Sequence, residues 1–375
     1  MVYLDYASTT PVLPEVLDSY NKVTLDFIGN PNSLHSLGIK SKDLLINATK
    51  QISDIFHVKE DEIIYTSGST ESNNLAIIGY ALAHGKKGSH ILISKLEHDS
   101  MYGICNYLAF NGFVIDYVNN TPEGVIDFED LKTKVTKDTI LVSICAVNSE
   151  LGLRQPLKTI KQVINKENPS TIFHSDMTQA VGKIPVNLND VDMATISSQK
   201  IYGPKGIGLL YKKESVIIKP LFYGSVKELR PGTPALPLIV SFSKALRIAT
   251  TDITKKMKIV EKLNKKVLTF LSSYPKIILN NTKYSIPNVI NISLMDIKPE
   301  TFIHALENHE VYVGSNTACS SGKLSASVFN LYKDKKRALT TIRISLSYLT
   351  KNEEINEFIT VFTSVYNKLM ELTNE

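Results

Sequence analysis

From about residue 60 the chain alternates short apolar runs with stretches of helical period, and this constrains its fold more than any other feature. Strands are read over residues 62–66, 90–94, 113–118, 139–147, 171–175, 191–197 and 207–211, with helices over 71–83, 98–111 and 157–165 among them. Such alternation calls for a mostly parallel sheet. Parallel neighbours need a crossover long enough to hold a helix, and the helices then cover both faces. The expected fold class is therefore α/β, with a large αβα domain. Ligands of such sheets bind beyond the carboxyl ends of the strands, so the chemistry is sought there.

Past this region the pattern changes. Helices are read over 236–248 and 252–273, then short strands over 276–279, 289–294 and 311–313, with helices over 299–308 and 351–372. We expect a smaller α+β domain here. A chain of 375 residues has room for both. The expected division is 13–250 for the large domain, and 1–12 with 251–375 for the small one.

The remaining composition excludes several classes. No apolar run approaches the ~20 residues of a membrane span, and the N-terminus enters a strand-like Val2-Tyr3-Leu4-Asp5 without a basic-then-apolar leader. Neither membrane attachment nor secretion is expected. The net charge of +5 is spread along the chain, and clusters such as Lys335-Lys336-Arg337 read as solvated faces, so no direct nucleic-acid contact is expected. Cys105, Cys145 and Cys319 are an odd, widely spaced set without a CxxC pair, which is neither a disulfide framework nor a metal site. A cytoplasmic location follows as an expectation. Cys105 and Cys145 lie in apolar periodic stretches and read as core. Cys319 lies in a small, polar, loop-like setting, Gly314-Ser315-Asn316-Thr317-Ala318-Cys319-Ser320-Ser321-Gly322, and is a candidate nucleophile.

Five strand ends carry polar groups. Thr66-Ser67-Gly68-Ser69-Thr70 opens a helix, where exposed N–H groups and the helix dipole suit a phosphate; ordinary helix capping is the plainer reading. His98 can stack on a flat ring or move protons, or simply cap a helix. Asn148 can bond a ring substituent or make a turn. Asp176 follows a buried strand, where a carboxylate is costly unless paired; a pyridinium nitrogen would pair it, and a helix N-cap is the alternative. Lys200, in Ser197-Ser198-Gln199-Lys200, can form an imine with an aldehyde cofactor, or be a solvated loop lysine. Singly each is weak. In this order they supply what a pyridoxal phosphate site requires: an anion site, a pyridinium partner and an imine-forming lysine.

These residues, with Tyr3-Leu4-Asp5-Tyr6-Ala7-Ser8-Thr9-Thr10-Pro11, Gly29-Asn30-Pro31-Asn32-Ser33-Leu34-His35, Arg230-Pro231-Gly232-Thr233 and Ile342-Arg343-Ile344-Ser345-Leu346, make the chain resemble the cysteine desulfurases over nearly its full length. These are pyridoxal-phosphate enzymes of fold type I, similar to the class-V aminotransferases. The long stretch between Cys319 and Arg343 resembles the subgroup whose cysteine rides on a mobile loop. The resemblance implies L-cysteine as substrate, L-alanine as product and a persulfide on Cys319. It implies Lys200 as the lysine bound to the cofactor, Asp176 on the ring nitrogen, Gln179 on the ring hydroxyl and His98 stacked on the ring. It implies Ser69, Thr70, Ser197 and Gln199 near the phosphate, and Thr233 reaching the phosphate of a partner subunit in a homodimer. Asn148 and Arg343 would hold the substrate carboxylate, and a sulfur-acceptor protein for iron–sulfur assembly or tRNA thiolation would follow. The chain departs from the family pattern at Gln199, where a histidine is usual, at Ser149, where a second asparagine is common, and in residues 222–229. Another lyase or aminotransferase of the same fold, or a non-catalytic paralogue, remains the alternative.

Overall fold

The computed structural model describes residues 1–224, 228–315 and 324–374. In chain order the elements are β1 (Val2–Leu4), α1 (Pro14–Asp26), α2 (Ser36–Phe56), β2 (Ile63–Thr66), α3 (Ser69–His84), β3 (His90–Ser94), α4 (Asp99–Phe110), β4 (Val114–Val118), α5 (Phe128–Lys134), β5 (Thr139–Ser143), α6 (Leu157–Glu167), β6 (Ile172–Asp176), β7 (Met193–Ser197) and β8 (Gly208–Lys212). Then come α7 (Leu236–Thr250), α8 (Ile253–Leu271), β9 (Ile277–Leu279), β10 (Val289–Leu294), α9 (Pro299–Glu307), β11 (Val311–Val313), α10 (Ala326–Tyr332), α11 (Lys335–Leu339), β12 (Thr341–Ser345) and α12 (Asn352–Asn374).

Seven strands form the large sheet in the order β2-β8-β7-β6-β5-β3-β4. From β7 to β4 all neighbours are parallel, and β8 runs antiparallel to both β7 and β2. The short link after Ser197 holds no crossover helix, so β8 must return beside β7 in reverse. The fold class is thus α/β with a mostly parallel sheet, as expected. Side chains alternate between its faces: Leu92, Val142 and Phe173 enter one apolar cluster with Ile52, Phe56 and Phe242, while Ile91, Ile93 and Leu141 enter another with Ile77, Ile104 and Leu108. Burial on both sides explains why these strands read as continuous apolar runs.

A third cluster gathers Phe302, Phe358 and Phe362 from α9 and α12 with Ile290, Ile292, Ile342 and Ile344 from the antiparallel pair β10–β12. Val2 and Leu4 of β1 belong to it, because β1 pairs in parallel with β11 at the far end of the chain. The N-terminal segment that follows β1 is thereby brought back across the large sheet.

Some boundaries differ from the sequence expectation, with physical causes. β5 ends at Ser143 rather than at 147. The chain beyond it still donates from Ile144 N to His174 O (3.1 Å) and from Ala146 N to Asp176 O (2.9 Å), so residues 144–147 run on beside β6 and stay buried past the end of the strand. Asp176 closes β6 instead of following it. α3 starts two residues early, which puts Ser69 and Thr70 in its first turn. Helices α1 and α2 were not read from the sequence. α1 has no side-chain cap, and exposed Leu17, Leu25, Leu37, Ile39 and Ile46 blur the apolar stripe of both. No described helix is long and apolar enough to cross a membrane.

Candidate active site

The parallel strands deliver their carboxyl ends to one cavity of about 250 Å³. Of the residues singled out from sequence, Ser69, Thr70, His98, Asp176, Gln179, Gln199, Lys200 and Arg343 line it. Ser197 lies close by as the last residue of β7. Asn148 and Thr233 are elsewhere, and Cys319 lies outside the described residues.

One wall is the start of α3. Gly68, its N-cap, has φ 154° and ψ −175°, a conformation open in practice only to glycine, and no side chain caps the helix there. The first-turn N–H groups therefore face the cavity mouth with the positive end of the helix dipole behind them. Close packing sets this turn in place. A Cβ on Gly208 would come within 2.7 Å of Ile196 O and 2.8 Å of Gly68 Cα, so β8 can approach only as glycine. Glu71 steadies the turn from outside, accepting from Ser67 N (2.7 Å) and from Arg230 Nε (3.0 Å); these bonds hold its carboxyl below the usual range despite burial.

Asp176 forms the floor. Its Oδ1 accepts from Thr178 N (2.9 Å) and its Oδ2 from Asn73 Nδ2 (2.8 Å). Neither donor is a cation, so the acid keeps its capacity to pair with a ring N–H. Beneath it, His174 bridges three strands, meeting Ser143 Oγ at 2.8 Å and Thr195 Oγ1 at 3.1 Å. Burial drives His174 down to about 4, against the pull of Asp176, and the ring is neutral.

Lys200 closes the turn after β7. Its Nζ donates to Ala7 O (2.9 Å) and to Ser8 O. The same N-terminal segment serves two further side chains. Gln179 Nε2 donates to Ala7 O (2.9 Å), and Arg343 Nη2 donates to Ser8 Oγ (2.6 Å) and to Asp5 Oδ1 (3.0 Å). Arg343, only 2 % exposed on β12, also donates from Nη1 to Ser149 O (3.1 Å). Lys183 donates to Gln179 Oε1; burial, with Lys200 and Arg343 nearby, lowers Lys183 to about 7.

His98 is exposed at the rim and caps α4, with Ser100 N donating to its Nδ1 (3.2 Å). Asn148 is buried, and its amide is fully committed. Nδ2 donates to Leu96 O (2.9 Å) and Ser327 Oγ (3.0 Å), while Oδ1 accepts from Glu150 N (3.0 Å) and Leu151 N (2.7 Å). Thr233 is exposed beside a second cavity lined also by Glu228 and Arg230.

Several site residues were not singled out from sequence. Asn73, Thr178, Ala7 and Ser8 are supports visible only after folding. Asn73 is fully buried on α3, which only the fold reveals. Cys145, read as core, lines the cavity. Its thiol is pushed well up by burial and by Glu97 and Asp176, which keeps it protonated and inert. Glu97 itself is raised to about 8, chiefly by burial. Cys105 sits in the core, its thiol pushed up to about 11.

The residues fit pyridoxal phosphate. An uncapped helix start faces an acid with room for a cationic partner, and an amine reaches between them. Thr178 Oγ1, on a residue lining the cavity, and Asn73 Oδ1 are buried without partners among the described residues, as expected of a wall built to meet a polar guest. No cluster of metal-binding side chains occurs among the described residues.

Comparison with known proteins agrees with this geometry. Residues 2–358 match the family model described as aminotransferase class-V. A protein from Lactobacillus delbrueckii subsp. bulgaricus described as "NifS/IcsS protein homolog" is 37 % identical, covering 100 % of this chain and 99 % of its own. "Cysteine desulfurase IscS" from Rickettsia typhi is 37 % identical, covering 99 % of this chain and 92 % of its own. Among solved structures, a "NIFS-like protein" superposes with a TM-score of 0.92 at 31 % identity over 98 % of this chain and 99 % of its own. A structure titled "SspA in complex with cysteine" gives 0.82 at 27 % identity over 94 % and 100 %.

Proposed function

The chain belongs to the aminotransferase class-V family, and from that premise we infer that it is a pyridoxal-phosphate-dependent cysteine desulfurase, converting L-cysteine to L-alanine and mobilising the sulfur. The single observation that carries this reading is the cavity in which Lys200, Asp176 and the start of α3 converge with Arg343.

We propose that Ser69 and Thr70 hold the cofactor phosphate at the start of α3, with Ser197 and Gln199 behind them, and that Asp176 pairs with the ring nitrogen. Gln179 would meet the ring hydroxyl and His98 the ring face. When bound, the cofactor is an electron sink that makes the substrate's Cα–H acidic. Lys200 would hold it covalently, and the Lys200 amine would take the Cα proton. Arg343 orients the substrate carboxylate, for which a guanidinium fork suits better than a point charge. Cys319, as thiolate, attacks the substrate sulfur; the substrate C–S bond breaks, and Cys319 retains the sulfur as a persulfide. Asn148 was expected to help hold the carboxylate. Its four hydrogen bonds support a role in shaping the wall that presents Ser149 O to Arg343 instead.

A homodimer fits the exposed Thr233 beside Arg230 and the exposed Leu25, Ile28 and Leu34. A sedimentation mass of two chains is expected, and a monomer at micromolar concentration would contradict it. We propose further that residues 13–250 form the cofactor-binding unit and 1–12 with 251–375 the second, which the separate apolar clusters support. A cytoplasmic location suits three widely spaced cysteines, and a protein that accepts persulfide sulfur, in iron–sulfur assembly or tRNA thiolation, completes the reading. The test is incubation of holoenzyme with L-cysteine and a thiol reductant. Alanine and sulfide should appear in equal amounts; a keto acid in place of alanine would indicate an aminotransferase.

A further inference from the structure

One buried acid has no part in the chemistry above. Glu150 is 5 % exposed, in the turn that follows β5. Its carboxylate lies against the start of α10: Ser327 Oγ donates to Oε1 (2.9 Å) and Ser325 Oγ donates to Oε2. Ser325 is the N-cap of α10, and its Oγ accepts from Val328 N (3.1 Å). Asn148 adds a bond from Nδ2 to Ser327 Oγ (3.0 Å). One turn, residues 148–150, thus grips residues 325–327 through three side-chain hydrogen bonds. Its other side faces the cavity, where Ser149 O accepts from Arg343 Nη1.

A carboxylate is an expensive way to hold a turn against a helix. Burial pushes Glu150 up, and only the serine hydroxyls and the field of Arg343 oppose it. An apolar contact of the same volume would serve stability as well or better, so directional bonding is what the acid adds. What it holds matters by connectivity. Ser325 stands six residues after Cys319, a span of at most roughly 22 Å at ~3.3–3.6 Å per residue. The preceding flank is fixed too. Gly314 exchanges backbone hydrogen bonds with Arg343 (2.9 and 2.8 Å), and a Cβ there would come within 2.5 Å of Asp5 Oδ1. Both flanks of the Cys319 segment are therefore referred to Arg343, one directly and the other through the 148–150 turn.

The geometry points to Glu150 as a positioning residue for sulfur transfer, fixing the flank of Cys319 at Ser325 and Ser327 to the turn that Arg343 holds at the cavity. The inference rests on the desulfurase reading. It is tested on full-length holoenzyme with Glu150→Ala, Glu150→Gln and the double variant Ser325→Ala/Ser327→Ala, which covers the case in which Glu150→Ala fails to fold. Two quantities are read: amide hydrogen exchange of the α10 peptide, and steady-state alanine release. In Glu150→Ala and in the double variant, α10 exchange should rise about tenfold or more while peptides of β6 and β7 keep theirs. In both, kcat should fall about tenfold or more with KM for cysteine within about twofold. Glu150→Gln, which can still bond both serines, should restore both quantities to within about threefold. Unchanged α10 exchange, a loss carried by KM, or a Gln variant as impaired as the Ala variant would overturn the inference. Wild-type holoenzyme that releases no alanine would overturn the desulfurase reading instead, and the exchange measurement would then decide the anchor alone.

Discussion

Alanine at Lys200 should yield a folded protein with no imine absorbance near the visible edge and with cysteine turnover lowered by at least about 10⁴-fold. Two roles are lost together. Lys200 carries the one amine among the described residues that line the cavity, and the proposed mechanism also gives it the Cα proton. Its position is set by structure on both sides: the backbone turns sharply at Ser198–Lys200 after β7, and Nζ is steered by the carbonyls of Ala7 and Ser8. The fold should survive, because the hydrogen bonds from Nζ to Ala7 O and Ser8 O are worth only about 1 kcal/mol each. The check is an absorbance spectrum of purified protein before and after borohydride, with alanine release alongside. A variant that keeps a borohydride-sensitive band would place the covalent lysine elsewhere.

The second large effect is expected at Asp176. In Asp176→Asn the shape is kept and the charge is removed. Oδ1 can still accept from Thr178 N. The new amide would meet Asn73 Nδ2 donor to donor, and a flip of Asn73 relieves this by presenting its Oδ1, which has no partner now among the described residues. Stability should therefore change by no more than about 1 kcal/mol. Catalysis should not be spared. On the proposed pairing, the substitution would remove the charge that would keep the ring nitrogen protonated, and the electron sink would weaken. Loss of a preorganised electrostatic partner costs about 10²–10³-fold in kcat, some 2.7–4 kcal/mol. Thermal melting and steady-state kinetics separate the two outcomes. A melting temperature that collapses would make Asp176 a structural group, and wild-type kcat would remove it from the cofactor site.

What could be read from sequence, and what could not, follows from how far apart the partners stand in the chain. The alternation of apolar runs and helical periods is local, so the sheet and its strand ends were legible, and with them Ser69, Thr70, Asp176 and Lys200. The reversal of β8 was not, because apolar periodicity carries no direction. Asn148 shows the limit most clearly. As a residue past a strand it read as a ligand, yet two of its four bonds go to Leu96 and Ser327, which no local pattern connects with it. Ala7 and Ser8 reach the cavity only because β1 pairs with β11 across most of the chain. Thr233 lines a second cavity and not the one that holds Lys200.

The central claim is that sulfur leaves cysteine for Cys319. The direct measurement is mass spectrometry of intact holoenzyme after one addition of L-cysteine without reductant, on wild type and Cys319→Ser. The wild type should gain one sulfur atom, mapped to the Cys319 peptide and released by a thiol, with one alanine formed per site. The variant should bind cysteine, keep its imine band and gain no sulfur. Sulfur addition that persists in Cys319→Ser, or alanine release unaffected by the substitution, would contradict the account.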